Sequence, residues 1–146
     1  RMLDTMREYG EQRLADEFEV LGGVTLDDLR ERHMSYYAEL VQRTESTWFG
    51  PHQKRASAVI SGEIANIRAA FDWSIETAEH CESGAGMVAD LWFYWIGCGH
   101  LKEGRTLSEL AWDRLHHFGR PQDPRLLWTL AWNLLITGET YGQNST

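Results

Sequence analysis

Four consecutive aromatic residues constrain the fold of this chain more than any other feature. They run from Trp92 to Trp95, inside a stretch from Ala89 to Gly104 whose pattern predicts a helix. At about 100° of rotation per residue, the four side chains point to most sides of that helix. Only Asp90 carries a charge between Gly84 and Cys98. We therefore expect the helices before and after this stretch to enclose it.

Helical periodicity continues along the rest of the chain, so the predicted fold class is all-α, with about six helices and at most a vestige of sheet at residues 1–4. The aromatic helix is the fourth of these. Before it, the first predicted helix is Thr5 to Leu21, the second follows the cap formed by Thr25 and Asp28, and the third runs from Pro51 to Ala78 with a kink or split near Gly62. After it, the fifth runs from Gly99 to about Phe118, and the sixth begins at Pro124 behind the N-cap Asp123. Residues Glu82 to Gly86 are predicted to form the loop before the aromatic helix.

Charge and cysteine content exclude several classes of function. The net charge of −8 and the pI near 5.2 disfavour binding to nucleic acid or to an anionic membrane. The nearly uncharged run from Leu91 to Gly99 is far shorter than the roughly 20 residues that a membrane span needs. Two cysteines do not make a disulfide framework, and no leader pattern opens the chain. We therefore expect a cytoplasmic protein.

No catalytic or cofactor motif stands out in the sequence. The pairs His80-Cys81, Cys98 with His100, and His116-His117 match no common zinc spacing. The chain lacks the Gly-x-x-x-x-Gly-Lys-Ser/Thr loop that cradles nucleotide phosphates. We therefore predict that this chain is not an enzyme and holds no metal and no cofactor.

Two groups of residues are candidates for contacts with a partner or ligand. Glu63 and Asn66 are three residues apart on one helix face, with Arg68 close by, and the alternative is that they bind a neighbouring helix. The aromatic candidates are Trp95, Trp112, Trp128 and Trp132. They are expected to be packing residues of the core or between repeats, with an apolar ligand pocket as the alternative.

A weak internal repeat suggests how the helices are arranged. The segments Gly99–Gly104 and Gly138–Gly142 each follow an aromatic or leucine-rich helix and lie 39 residues apart. Tetratricopeptide (TPR) repeats recur about every 34 residues with a glycine between their two helices, and the loop Arg120–Pro124 accounts for the extra length. The pattern predicts a TPR-like, right-handed stack of antiparallel helix pairs.

A more specific resemblance covers nearly the whole chain and rests on five motifs in order. They are Thr5-Met6-Arg7-Glu8-Tyr9, Arg32-His33-x-x-Tyr36-Tyr37, Gly50-Pro51, Glu63-x-x-Asn66-Ile67-Arg68-Ala69-Ala70-Phe71-x-Trp73, and Leu91-Trp92 through Gly99-His100-Leu101-x-Glu103-Gly104-Arg105. In this order they resemble large bacterial LuxR/AfsR-like transcriptional regulators. The resemblance implies a position just after the nucleotide-binding ATPase module (NB-ARC or STAND type) and its winged helix, where a TPR-like sensor array begins.

The resemblance implies a domain organisation and a function. Residues 1–24 would be a helix that follows an upstream winged-helix and ATPase module, and residues 25–146 a TPR-like array truncated at its C-terminal end. The function expected is that of a non-catalytic regulatory and protein-interaction segment, with a protein or small-molecule effector. The alternatives are a free-standing TPR-like scaffold, or a small-molecule sensor that uses an aromatic pocket. Because the apolar face of Leu126–Thr137 has no covering helix in the sequence, we also expect a homodimer through the sixth helix.

Overall fold

The computed structural model describes residues 7–13 and 23–137, and these residues form helices without any strand, as predicted. The chain divides into two compact units, Arg1–His33 and Met34–Thr146, and each is described by itself. The sheet vestige predicted at residues 1–4, and much of the first predicted helix, lie outside the described residues. The described helices are α1 at positions 7–13, α2 (Leu26–Ser46), α3 (Gln53–Ser74), α4 (Cys81–Asp90), α5 (Trp92–Gly97), α6 (Leu101–His117) and α7 (Pro124–Thr137).

In the first unit, a reciprocal cap fixes the start of α2. The backbone N–H of Asp28 donates to the Thr25 hydroxyl at 3.1 Å, and the backbone N–H of Thr25 donates to the Asp28 carboxylate at 2.8 Å. These bonds satisfy donors that have no partner inside the helix. The bond from the Thr25 backbone N–H to the Asp28 carboxylate also lowers the pKa of Asp28. The predicted cap is confirmed. Within the same unit, Arg30 forms an ion pair with Glu11 at 3.3 Å.

The second unit is built around two clusters of buried apolar side chains. The first cluster joins the C-terminal part of α2 to α3 and α5, through residues such as Val41, Ile60 and Phe93. The second joins α3, α4, α6 and α7, through residues such as Phe71 and Leu126. Helix α4 therefore packs on α3, α6 and α7 at once, and α6 also packs on α7.

The stretch from Ala89 to Gly104 is not one continuous helix but covers the end of α4, all of α5 and the start of α6, and its first break is at Leu91. The Leu91 N–H donates to the carbonyl oxygens of Met87 at 3.2 Å and Val88 at 3.3 Å, which ends α4 before α5 begins. The prediction of a loop at Glu82–Gly86 is wrong, because these residues lie in α4. Gly84 suggested a loop, but its actual role is close packing. A Cβ atom there would lie 2.1 Å from the Ser74 hydroxyl oxygen, so only glycine lets α4 approach α3 this closely.

Enclosure of the aromatic residues is confirmed for three of the four. Phe93 and Trp95 are 0% exposed and Tyr94 is 3% exposed, whereas Trp92 is only half-buried. The Trp95 indole N–H donates to the Val88 carbonyl at 3.1 Å, so this buried donor is satisfied. The break at Leu91 thus lets one ring of the run reach the surface while the next three fill the core.

Helix α3 departs from three details of the prediction. It ends at Ser74, four residues before the predicted end at Ala78. It begins at Gln53, so Pro51 lies in the preceding turn and not at the first helical position. It also runs through Gly62 without a split, because the nearby Ile60 and Ile67 are 0% and 2% exposed. Burying each isoleucine contributes about 1.5–3 kcal/mol, more than the roughly 1 kcal/mol that a helical glycine costs.

The last two helices follow the prediction closely. Helix α6 ends at His117, against a predicted end near Phe118, and α7 begins at Pro124. The backbone N–H of Arg125 donates to the Asp123 carboxylate at 2.9 Å, which confirms Asp123 as the cap of α7.

Candidate interaction surface

Glu63 and Asn66 form one small hydrogen-bonded group with a tyrosine of α2. The carboxylate oxygen Oε2 of Glu63 accepts from the Tyr37 hydroxyl and from the Asn66 side-chain amide, each at 2.9 Å. These bonds, that from Asn66 first, lower the pKa of Glu63. Burial raises the pKa of Tyr37, and the bond to Glu63 raises it further. The group therefore ties α3 to α2, while Asn66 itself stays exposed.

Arg68 is not part of that group but reaches to α6. Its Nε and Nη2 donate to the two carboxylate oxygens of Glu103 at 2.5 Å and 2.6 Å, and this bidentate pair raises the pKa of Arg68. The side chains of Arg68 and Glu103 are 45% and 26% exposed. The pair fixes the relative position of α3 and α6 at the surface, and water screens much of its energy.

The four candidate tryptophans fall into different environments. Trp95 lies in the core, where its ring packs against Gly104, and Trp112 is half-buried beside the second apolar cluster. Trp128 and Trp132 are 48% and 43% exposed on α7, with their ring centroids 5.8 Å apart. Of the four, only the two on α7 are brought together at the surface.

Helix α7 carries its apolar residues toward solvent to an unusual degree. The exposed side includes Leu127, Leu135 and Ile136, which are 50%, 72% and 46% exposed. The buried side instead contains two polar residues, Thr129 and Asn133, both 0% exposed. Their side chains donate to carbonyl oxygens of their own helix, at 3.0 Å and 2.7 Å. Helix α7 is the sixth predicted helix, and the apolar surface expected for it is therefore present among the described residues.

Four aromatic side chains continue this surface across three elements, and we call Phe49, Trp92, Trp128 and Trp132 the aromatic row. Phe49, in the loop after α2, is 84% exposed, and its ring centroid lies 5.6 Å from that of Trp92. The rings of Trp92 and Trp128 meet edge to face at 5.5 Å, with planes at 88°. Single exposed aromatic residues are ordinary, but a contiguous set is typical of an interaction site.

A group of charged residues borders the aromatic row. The indole N–H of Trp92 donates to the Glu45 carboxylate at 3.4 Å. Arg125 pairs with Asp90 at 2.5 Å and with Asp123 at 2.9 Å. Burial raises the pKa of Asp90, against the opposing effect of Arg125. The Arg125 side chain is 57% exposed, whereas those of Asp90 and Asp123 are 15% and 20% exposed. The border therefore presents mainly the Arg125 guanidinium and the half-buried Glu45 carboxylate to solvent.

The described residues show neither a metal-ligand cluster nor a membrane span. In the described part of the chain, no three His, Cys, Asp or Glu residues converge in a way that could hold a metal ion. Within those same residues, no helix is both long and apolar enough to cross a bilayer.

The sequence did not identify Phe49 and Trp92 as surface residues or Glu103 as the partner of Arg68. The row draws its members from a loop, from α5 and from α7, which lie far apart in the chain. The local sequence carries no signal that separates Trp92 from the three buried rings that follow it.

Two known proteins that are similar to this chain carry names that describe them as transcriptional regulators. The chain is 35% identical over 118 residues to "Putative HTH-type transcriptional regulator Rv0890c" of Mycobacterium tuberculosis and, to the same extent, to "Putative HTH-type transcriptional regulator Mb0914c" of Mycobacterium bovis. The match covers 80% of this chain but only 12% of each relative, so the chain spans about an eighth of their length. No family model matches the chain, and no solved structure matches it.

Proposed function

We propose that this chain is a non-catalytic regulatory and protein-interaction segment of a multidomain bacterial transcriptional regulator. The observation that carries the proposal is the exposed apolar surface of α7 and the aromatic row, on a chain similar to a short part of much longer HTH-type regulators. In this proposal the segment acts in the cytoplasm and couples binding of a protein or small-molecule effector to an ATPase module and a DNA-binding domain elsewhere in the regulator.

The architecture proposed for the segment is the start of a TPR-like helical array of the LuxR/AfsR-like regulators. Paired helices such as α6 and α7 pack against one another, which suits such an array. In an array each repeat buries its face against the next, so an uncovered apolar face on α7 is what an internal repeat would present. Where no next repeat covers it, we propose that two copies associate through Leu126–Thr137.

Reading the open reading frame that encodes this chain tests the multidomain proposal directly. We expect a P-loop upstream of the region and a helix-turn-helix domain in the same frame. A reading frame that contains neither would refute the proposal of a multidomain regulator, and a free-standing scaffold would then be the remaining interpretation.

A transcription assay tests the role of the surface in the intact protein. In the full-length regulator, Trp132→Glu should change the transcript level of its target genes at unchanged protein level, because the substitution places a charge on the proposed contact surface. Glu79→Gln, an exposed change in the loop before α4, is the matched control. Equal transcript levels in both variants and the parent would contradict a regulatory role for this surface.

A further inference from the structure

Helix α7 lies in a groove that α4 and α6 form, and we call this the α7 groove. Helix α7 packs against both of these helices, and they also pack against each other. Among the described side chains of α7, the apolar one that is buried in the groove is Leu126, at 0% exposed. The Arg125 side chain passes close to Gly86 of α4 and pairs with Asp90 at the end of that helix. Every copy of the chain carries both this groove and the helix that fits it.

The connection between α6 and α7 allows the helix to reach beyond its own groove. It covers residues 118–123 and contains no helix or strand. Gly119 has a φ of +63°, and the backbone N–H of Arg120 donates to the Leu115 carbonyl at 2.9 Å, so the chain turns directly after α6. Pro121 favours an extended conformation for the residue before it. Fully extended, such a connection spans at most about 20 Å, which is nearly two helix diameters.

The side of α7 that faces away from the groove supplies a reason for association. Its exposed apolar side chains are Leu127, Trp128, Trp132, Leu135 and Ile136. The buried side includes two polar residues, Thr129 and Asn133, so the outer side is at least as apolar as the side in the groove. A helix that is apolar on more than one side is typical of a helix that is covered on more than one side. Exchange of α7 between two copies keeps the contacts of the groove and brings the copies close enough to cover part of the outer side.

We propose that the α7 groove of one copy receives α7 of a second copy, so that two copies associate by exchanging this helix. The ion pair of Arg125 with Asp90 then forms between chains, once in each groove of a two-fold dimer. The groove determines its own occupant, because the helix of the second copy brings the same side chains as the helix that it replaces. The exchange rests on the proposed association through Leu126–Thr137 and specifies how the two copies are joined.

An isotope-mixing experiment on the whole chain distinguishes exchange from contact between unexchanged copies. Arg125→Lys keeps the positive charge opposite Asp90 and supplies an amine that a carbodiimide joins to a contacting carboxylate. Equal amounts of this variant in light and heavy nitrogen are unfolded together in urea, refolded by dilution and crosslinked, at a concentration where the parent chain sediments as a dimer. Mass spectrometry after proteolysis then reads the peptides that link positions 90 and 125. With exchange, about half of them should join a light chain to a heavy chain, because partners combine at random.

Two further variants control the crosslink. Asp90→Asn in the Arg125→Lys background removes the acceptor carboxylate and should abolish the linked peptide. Leu135→Glu in the same background changes a residue of the outer side that is 72% exposed, so α7 should return to the groove of its own chain. The linked peptide should then persist, with both halves always of one isotope.

Each outcome decides the exchange separately from the rest of the proposed function. A dimeric parent whose linked peptides are all of one isotope overturns the exchange and leaves an association through the outer sides of two unexchanged helices. A monomeric parent overturns both the exchange and the association, whereas the reading frame alone decides the multidomain regulator. Absence of any link between positions 90 and 125 also overturns the exchange, because α7 would then not occupy the groove of either copy.

Discussion

The close approach between Gly104 and Trp95 makes Gly104→Ala the most informative single substitution in the chain. A Cβ atom at position 104 would lie 2.5 Å from Cγ and 2.6 Å from Cβ of Trp95, where ordinary contacts begin at 3.4 Å. Because those two atoms stand at the root of a side chain that is 0% exposed, the ring cannot swing away. The substitution must therefore displace either α6 or the core around Trp95.

The magnitude follows from two opposing terms. Alanine is favoured over glycine in a helix interior by about 1 kcal/mol. Overpacking a core costs typically about 1–3 kcal/mol, and a contact this short at a fully buried ring falls at the upper end. The expected net loss is about 2 kcal/mol of unfolding free energy. The control is Gly62→Ala in α3, where a Cβ atom would meet nothing within 4 Å, so that variant should gain about 0.5–1 kcal/mol.

Urea unfolding followed by tryptophan fluorescence measures both changes, and all seven tryptophans belong to the second unit. With a slope of about 1–3 kcal/mol/M, a loss of about 2 kcal/mol lowers the midpoint by roughly 0.7–2 M. A midpoint for Gly104→Ala equal to or above that of Gly62→Ala would show that α6 and the Trp95 ring separate at little cost. The account of the core given above would then be wrong.

Three further predictions concern acid stability, burial and self-association. Hydrogen bonds lower the pKa of Glu63 in the folded chain, so its ionised carboxylate stabilises the fold above the ordinary Glu pKa of about 4.3, and this stabilisation is lost as the pH falls through the folded pKa. Asn66→Ala should therefore make the urea midpoint less sensitive to acid below that range. Trp95→Ala should cost about 3–5 kcal/mol in the same assay, whereas Trp132→Ala, at a residue 43% exposed, should cost far less. Sedimentation of the chain at on the order of tens of micromolar should show a dimer, and Leu135→Glu should give a monomer because it places a charge on a leucine that is 72% exposed; a monomeric parent would contradict the proposed contact.

Local signals predicted the helices well where caps and periodicity agree. The Thr25–Asp28 cap, the Asp123 cap and the end of α6 are each determined by residues within a few positions. Two of the errors came from glycine. At Gly84 and Gly62 the sequence suggested an interruption, but in the first case glycine permits close helix packing, and in the second, burial of neighbouring isoleucines holds the helix together. Both effects depend on a second element, which a local pattern does not contain.

The candidate site could be predicted only in parts. That Glu63 and Asn66 share one helix face follows from helical spacing, and in the structure the two side chains are joined by a hydrogen bond of 2.9 Å. The aromatic row joins Phe49 to residues 43 and more positions further along the chain, and such long-range contacts depend on how the helices pack. Sequence composition identified tryptophan as the important residue type, but only the packing separates buried Trp95 from exposed Trp128.

The polar residues on the buried side of α7 affect how that helix would leave the rest of the unit. Because Thr129 and Asn133 donate to carbonyl oxygens of α7 itself, those two hydrogen bonds can persist when the helix moves away as a rigid body. Detachment also exposes Leu126 and its neighbours and breaks the ion pair of Arg125 with Asp90. We expect amide hydrogen exchange to show an opening that frees α7 at a lower free energy than global unfolding. A helix held in this way is suited to exchanging its contacts with its own chain for contacts with another.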